Sequence, residues 1–367
     1  MSTDFKALAR PGVQNLAPYV PGKPVEELQR ELGLERIVKL ASNENPLGAS
    51  PAVAGALQRV WSDVSRYPDG NGYALKKSLA QHLKVESDQI TVGNGSNDVL
   101  EMLARAFVSD GDEVVFSQHA FAVYPIVTQA VGGVPVVVPA VDFGHDLDAM
   151  ASAVTERTRL VFLANPNNPT GTWFNRASLE SFLSQVPERV LVVLDEAYFE
   201  YVQQPDYPDG LELMAQYDNL VVTRTFSKIY GLASLRVGYC IANAGITDVL
   251  NRVRQPFNVN AYAQAAAVVA LGDKQFVRQS IELNAAGKRD LAAGLQALNL
   301  DFIPSEGNFI TFMVNDAAAV YDALLHKGVI VRPVAGYEIP NGLRVTIGTA
   351  SENRIFLTAL KHVLTGN

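Results

Sequence analysis

The sequence predicts an α/β fold in which a large domain, with a mainly parallel sheet covered by helices, is joined to a smaller α+β domain. Three observations carry this expectation. From about residue 90, brief segments rich in β-branched residues alternate with helix-length stretches, the pattern of parallel strands linked by crossover helices. Those segments are apolar throughout and do not alternate with polar residues, as strands covered on both faces should be. With 367 residues, 48% hydrophobic and 19% charged, the chain has enough apolar mass for about two domains.

The elements can be taken in chain order. Residues 11–24, PGVQNLAPYVPGKP, hold four prolines and are expected to form an extended arm, followed by a short helix through VEELQREL. IVKLA reads as a strand. Ser50 before Pro51 reads as an N-cap with proline at the first helical position, and AVAGALQRVWSDV continues at helical spacing. RYPDGNGY is turn chemistry. The strands ITVG, EVVFS, VPVVV, RLVFLAN, RVLVVLDEA, NLVVTRT and GYCIA come next, then alanine-rich helices from about Ile246 to Leu298. FIPSEGNFITFMV, a helix around AAAVYDALLHKG, GVIVRPV, GLRVTIGT and a terminal helix SENRIFLTALKHVL make the smaller unit. No repeat or low-complexity linker marks a boundary, so element order places the large domain at 41–270. Residues 1–40 and 271–367 then form the small domain with its N-terminal arm.

Composition excludes several function classes. A net charge of -8 without a dense Lys/Arg block leaves no electrostatic footprint for nucleic acid or an anionic membrane surface. The single cysteine, Cys240 in GYCIAN, excludes an internal disulfide framework and reads as a small core hydrophobe in a reducing compartment. The start, MSTDFKALARPG, lacks the apolar core of a signal peptide, and no later apolar run approaches membrane-spanning length, so a cytoplasmic protein is expected. The five histidines show no metal-binding spacing, so no metal is expected and packing or surface roles are assigned to them. Trp61 and Trp173 read as core or interface.

In parallel α/β sheets, ligand sites collect outside the carboxyl ends of the strands. Four such ends carry polar residues: GNGSND, NPNNPTG, DEAY and RTFSK. Singly, each has a plain structural explanation. GNGSND lacks the third glycine of a dinucleotide loop and can be a tight turn with a helix cap. NPNNPTG can be a proline-stiffened turn. Asp195, ending a strongly apolar strand, must find a partner, stay protonated or cap the next helix. Lys228 alone would be a surface lysine.

Together, in this order, they resemble the fold-type I pyridoxal-phosphate aminotransferases, and more closely the histidinol-phosphate aminotransferase group. The resemblance runs through PYVPGKPVEEL, KLASNENPLG, RYPDGNGY, GNGSND, NPNNPTG, DEAYFEY, RTFSKIYGLASLRVGY and GLRVTIGT, nearly the whole chain. It implies pyridoxal 5′-phosphate as cofactor. Lys228 would bond covalently to the cofactor aldehyde and, once freed by substrate, move the proton; nearby Arg236 is expected to depress its pKa. Arg236, Thr225 and Ser227 would hold the cofactor phosphate, with Gly95, Ser96 and Asn97 completing the cup at a helix start. Asp195 would pair with the pyridine nitrogen, Tyr198 and Asn168 would reach the phenolic oxygen, and Phe121 would stack on the ring. Phe121 stands where tyrosine is common. Ser234 stands where glycine is frequent, with no functional account.

Arg344 matches the arginine that grips a substrate anion, Arg332 assists it, and Tyr19, Tyr67 and Asn168 match further substrate contacts. Tyr67 would reach the cofactor phosphate or substrate from a neighbouring subunit, which makes a homodimer with shared sites a requirement. The implied reaction moves an amino group between L-glutamate/2-oxoglutarate and histidinol phosphate/imidazole acetol phosphate. An aromatic amino-acid transaminase and a phosphothreonine decarboxylase share the same motifs. A DNA-binding regulator of this fold would need a basic helix-turn-helix module, which is missing before the main domain.

Overall fold

The computed structural model describes residues 3–366. Its largest sheet has seven strands, in the spatial order Ile90–Gly93, Gly238–Ile241, Leu220–Thr225, Leu191–Asp195, Thr158–Ala164, Glu113–Ser117 and Val134–Val138. Gly238–Ile241 runs antiparallel to both of its neighbours; every other adjacent pair is parallel. Apart from the partly exposed edge strand Val134–Val138, the sheet is buried between helices on both sides. Leu160, Phe162 and Val193 face a core with Val99, Leu100 and Leu103, while Val161, Leu163, Val192 and Leu194 face Leu179, Phe182 and Leu183. Period-2 alternation thus feeds two apolar cores, which is why the strands read as unbroken apolar runs.

A second sheet is antiparallel, ordered Arg332–Pro333, Gly342–Thr346, Phe309–Met313 and Phe302–Ile303. It packs with the helices Ala317–His326 and Ala350–Thr365 around Phe312, Phe356 and Leu360. Val38–Lys39 pairs in parallel with Val329–Ile330.

Four details go beyond what the sequence alone gives. The proline-rich arm is not extended throughout: Pro11–Gln14 forms one helical turn, started by proline at its first position. There Gly12 lies so close to the helix Val123–Ala130 that a Cβ would meet the Gln129 carbonyl oxygen at 2.0 Å. IVKLA contributes a strand of only two residues. The alanine-rich stretch divides into Ala244–Val253, Ala261–Gly272 and Lys274–Ala297. Pro256 and the left-handed Phe257 (φ 57°) make the first break, and Asp273, whose side chain accepts from the Phe276 amide, caps the last helix. GVIVRPV divides between two sheets, with Val331 as the crossing point.

Candidate active site

Five of the seven strands point their carboxyl ends at one cavity of about 200 Å³, lined from both sheets and from the arm. The cavity brings together Tyr19, Ser96, Asn97, Phe121, Asn168, Asp195, Tyr198, Thr225, Ser227, Lys228, Arg236, Arg332 and Arg344. Two sequence-predicted residues do not line it. Gly95 sits behind its wall, and Tyr67 is 82% exposed, stacked on Phe257 at 4.7 Å, outside this chain's cavity.

Asp195 ends its strand in register with Thr223 of the neighbouring strand, and both side chains fall on the cavity face. The carboxylate is 5% exposed and accepts from Tyr124 Oη at 2.9 Å and Thr223 Oγ1 at 3.2 Å. Burial raises its pKa; Tyr124, Thr223 and the Ala197 amide pull it back. Tyr124 is stacked on Phe162 at 4.6 Å and meets Phe121 edge-on at 5.9 Å, so one aromatic cluster fixes both the carboxylate partner and the residue expected to stack on a ring. The opposite side of the same strand ends is braced by Arg224, which bonds Glu196 (Nε to Oε2, 2.8 Å) and Asp209 (2.7 Å). The Arg224 guanidinium lies 3.6 Å over the Phe199 ring.

The turn after Thr225 carries Lys228, whose Nζ reaches the Ser42 carbonyl at 3.3 Å and lies 5.6 Å from the Tyr198 ring centre. Enclosure lowers the amine pKa to about 8, helped first by Arg344 and then by Arg236. Arg236 helps depress this pKa, as expected; desolvation is the larger effect, and Arg344 is the stronger of the two cations. Tyr198 accepts from Asn43 Nδ2 at 2.9 Å, and burial pushes its phenol up to about 12.

Arg236, held in a left-handed conformation (φ 55°), reaches back to Ser227 Oγ (3.4 Å) and the Ala233 carbonyl (3.1 Å). It stands against the N-terminus of the helix Ser96–Phe107, where Gly95 is the N-cap at φ 80°. A Cβ on Gly95 would meet Arg236 Nη2 at 2.6 Å, so only glycine lets the helix amides and the guanidinium share this space. Such a cradle of amides, hydroxyls and one guanidinium fits a phosphate. Ser234 is exposed on the short 3-10 turn Ala233–Leu235, and nothing in the structure explains it.

Arg332 and Arg344 are direct partners across the antiparallel pair Arg332–Pro333/Gly342–Thr346, so both guanidinium groups leave the same face. Arg344 is 6% exposed; it donates to Asn168 Oδ1 and, at 2.8 Å, to the Ala41 carbonyl, while its Nε has no partner. Arg332 donates to the Val20 carbonyl at 2.7 Å and lies 5.5 Å over Tyr19. Among the described residues, no carboxylate forms an ion pair with Lys228, Arg236, Arg332 or Arg344.

With this geometry in place, the comparisons with known proteins are decisive. Residues 35–360 match the model of the family aminotransferase class I and II. The chain belongs to this family. As an aminotransferase of class I and II it is 60% identical over 367 residues to histidinol-phosphate aminotransferase 2 of Pseudomonas fluorescens (strain Pf0-1), covering 99% of both chains. It is 59% identical over 365 residues to histidinol-phosphate aminotransferase 2 of Pseudomonas aeruginosa, again covering 99% of each. Among solved structures, histidinol-phosphate aminotransferase from Sinorhizobium meliloti in complex with pyridoxal-5′-phosphate superimposes with a TM-score of 0.90 at 30% identity, over 97% of both chains. Within the family, this aminotransferase groups with the histidinol-phosphate aminotransferases, and its fold is fold-type I.

Two cavity residues, and one buried behind its wall, carry little or no signal in the sequence. Asn43, in KLASNENPLG, adopts φ 56° and is locked by Thr346 and Asn308; the asparagine-rich run is its only signal. Tyr124 lies within an apolar helix and gives none. Tyr337 sits between two short strands whose tip has no recognisable pattern.

Proposed function

We propose that the chain is a pyridoxal-phosphate-dependent transaminase that interconverts histidinol phosphate plus 2-oxoglutarate and imidazole acetol phosphate plus L-glutamate, in L-histidine biosynthesis. The observation that carries this reading is the register pairing of Arg332 with Arg344 in a cavity where no acid neutralises either. Like charges directly opposite on a sheet are destabilising, so the pair is explained by an anionic substrate group that binds between them. Full-length identity of 60% to a protein named for this activity supports the choice of substrate.

The cofactor is pyridoxal 5′-phosphate. Bound in this cavity, it supplies an aldehyde for an amine and a ring that withdraws electrons from the substrate carbon. Gly95, Ser96, Asn97, Thr225, Ser227 and Arg236 would hold its phosphate, Phe121 would cover its ring, and Asn168 and Tyr198 would donate to its phenolic oxygen. Asp195 would hold a proton on the ring nitrogen. Lys228 would hold the aldehyde; Nζ, released as a neutral amine when substrate arrives, would take the proton from the substrate carbon and return it. Arg332, Arg344 and Tyr19 would orient the substrate anion and keep the reacting carbon near that amine.

The active form in this reading is a homodimer in the cytoplasm. Tyr67, 82% exposed, stacks on the half-exposed Phe257, and Trp61, Val64 and Tyr73 of the same stretch of chain are also exposed, apolar surface that a second copy would cover. Tyr67 would then enter the partner's cavity. The large domain is read as 41–270, with 1–40 and 271–367 forming the small one. No helix of the described residues is long and apolar enough to cross a membrane.

Single-turnover absorbance of the cofactor-loaded protein tests the reading. Histidinol phosphate is expected to convert the cofactor spectrum faster than phenylalanine does, with no conversion in Lys228→Ala. Faster conversion by phenylalanine would reassign the chain to aromatic transamination.

A further inference from the structure

The hairpin that carries Arg332 and Arg344 has a tip, Ala335–Tyr337, whose last residue lines the cavity together with the two arginines and Tyr19. We propose that Tyr337 is a substrate-contacting, specificity-determining residue whose hydroxyl donates to the phosphate of a phosphate-ester substrate, and that His119 holds it in place. This deepens the transaminase reading above and rests on it.

Four observations support the assignment. The Tyr337 side chain lines the cavity beside Arg332, whose recorded donations go to Tyr19 and the Val20 carbonyl, and among the described residues no protein acceptor takes the Tyr337 phenolic proton. Tyr337 shares the cavity wall with Tyr19, Arg344 and Arg332, and all three act on it electrostatically. Its main chain is pinned: the Tyr337 amide donates to the Val334 carbonyl (2.9 Å), and His119 Nδ1 donates to the Tyr337 carbonyl (2.7 Å). His119 is itself anchored, since its carbonyl accepts from Asn167 Nδ2 at 3.0 Å, one residue before Asn168. Beside it, Gln118 Nε2 donates to Glu338 Oε2 at 2.6 Å. Two consecutive residues, two before the ring-facing Phe121, therefore grip the loop that aims Tyr337.

The specificity comes from counting donors. A carboxylate offers two oxygens, which one guanidinium fork satisfies; a phosphate ester offers three with nearly two charges. Two guanidinium groups joined by two phenols suit the larger anion, and the second phenol is the part a carboxylate can do without. A site built to hydrogen-bond a group discriminates against ligands that leave its donors unpaired.

The test uses cofactor-loaded wild type and Tyr337→Phe. The ratio of kcat/KM for histidinol phosphate to that for phenylalanine is expected to fall about tenfold, mostly through KM for histidinol phosphate, the size of one lost hydrogen bond to a charged group. The dissociation constant of inorganic phosphate, read from the cofactor absorbance, is expected to rise about fivefold or more. His119→Ala should move both readouts in the same direction, and His119→Asn, which keeps a side-chain donor, should restore part of the loss. Equal losses for both substrates with unchanged phosphate affinity would overturn the assignment. Should wild type fail to convert histidinol phosphate, the proposed function falls, while the phosphate titration still decides Tyr337.

Discussion

Tyr124 donates its phenolic proton to Asp195 at 2.9 Å, from a ring stacked on Phe162 deep in the core. The pair joins the packing of the largest sheet to the one carboxylate at the cavity floor. Two side-chain donors and an amide favour the charged form of this buried carboxylate, against the desolvation that raises its pKa.

Tyr124→Phe removes one of them without leaving a large void. Losing a hydrogen bond to a charged group corresponds to about 1.5–3 kcal/mol, so kcat should fall roughly tenfold to hundredfold with little change in KM. The Asp195 pKa, already raised by burial, should rise further, so the acid limb of the kcat profile should move to higher pH. An unmoved acid limb in steady-state kinetics would separate Tyr124 from Asp195.

The Lys228 amine, lowered to about 8, should be half neutral there and not near its ordinary 10.5. Covalent capture of pyridoxal phosphate by the apoprotein, followed by stopped-flow absorbance, should accelerate as pH rises and level off above about 8. Arg344→Gln removes the larger nearby cation and should shift that midpoint upward. In folding, the sign is the same: between about 8 and 10.5 the unfolded chain holds a proton that the folded apoprotein lacks, so this group makes stability rise with pH across that window.

Arg224 and Glu196 test the brace beneath the site. Glu196 is fully buried, and its partner is 4% exposed. Arg224→Ala leaves that carboxylate unpaired and should destabilise the fold by about 3–5 kcal/mol, measured by denaturant unfolding. Arg224→Met combined with Glu196→Leu should cost much less, because no fully buried charge is stranded and Asp209, which also loses Arg224, is partly exposed to water. Comparable losses in the single and double variants would mean that packing, and not charge, dominates this corner.

If Tyr67 completes a neighbour's cavity, then Lys228→Ala and Tyr67→Ala proteins, each nearly inactive, should recover about a quarter of wild-type activity when unfolded and refolded together, since half of the dimers are hybrids with one intact site. Sedimentation should show a dimer. An active monomer would refute the shared site.

Much of the architecture is legible in the sequence because its causes are local. Seven apolar runs become seven strands, Ser50 caps its helix through the Ala52 amide, and the four polar strand ends converge on one cavity. The features that are not legible depend on contacts far along the chain. Tyr124 reaches Asp195 across 71 positions, and His119 reaches Tyr337 across 218, so neither has a local signature. Nearness in sequence points to Arg236 as a contributor to the lowered Lys228 pKa, and it is one, but desolvation and a strand arginine more than a hundred residues away weigh more. Val331 reads as the interior of one strand because alternation cannot reveal that the chain changes sheets there.

The proline-rich arm is fastened at two points: Arg10 bonds the Val131 carbonyl at 2.9 Å, and the Val20 carbonyl holds Arg332 at 2.7 Å. Ten peptide steps separate those anchors, so even drawn straight the segment spans no more than about 35 Å. The arm is thus a leash. It sets an upper bound on how far the cavity mouth can gape before one fastening gives way, and because one fastening is the outer arginine itself, tension in the leash acts on the residue that greets the arriving anion.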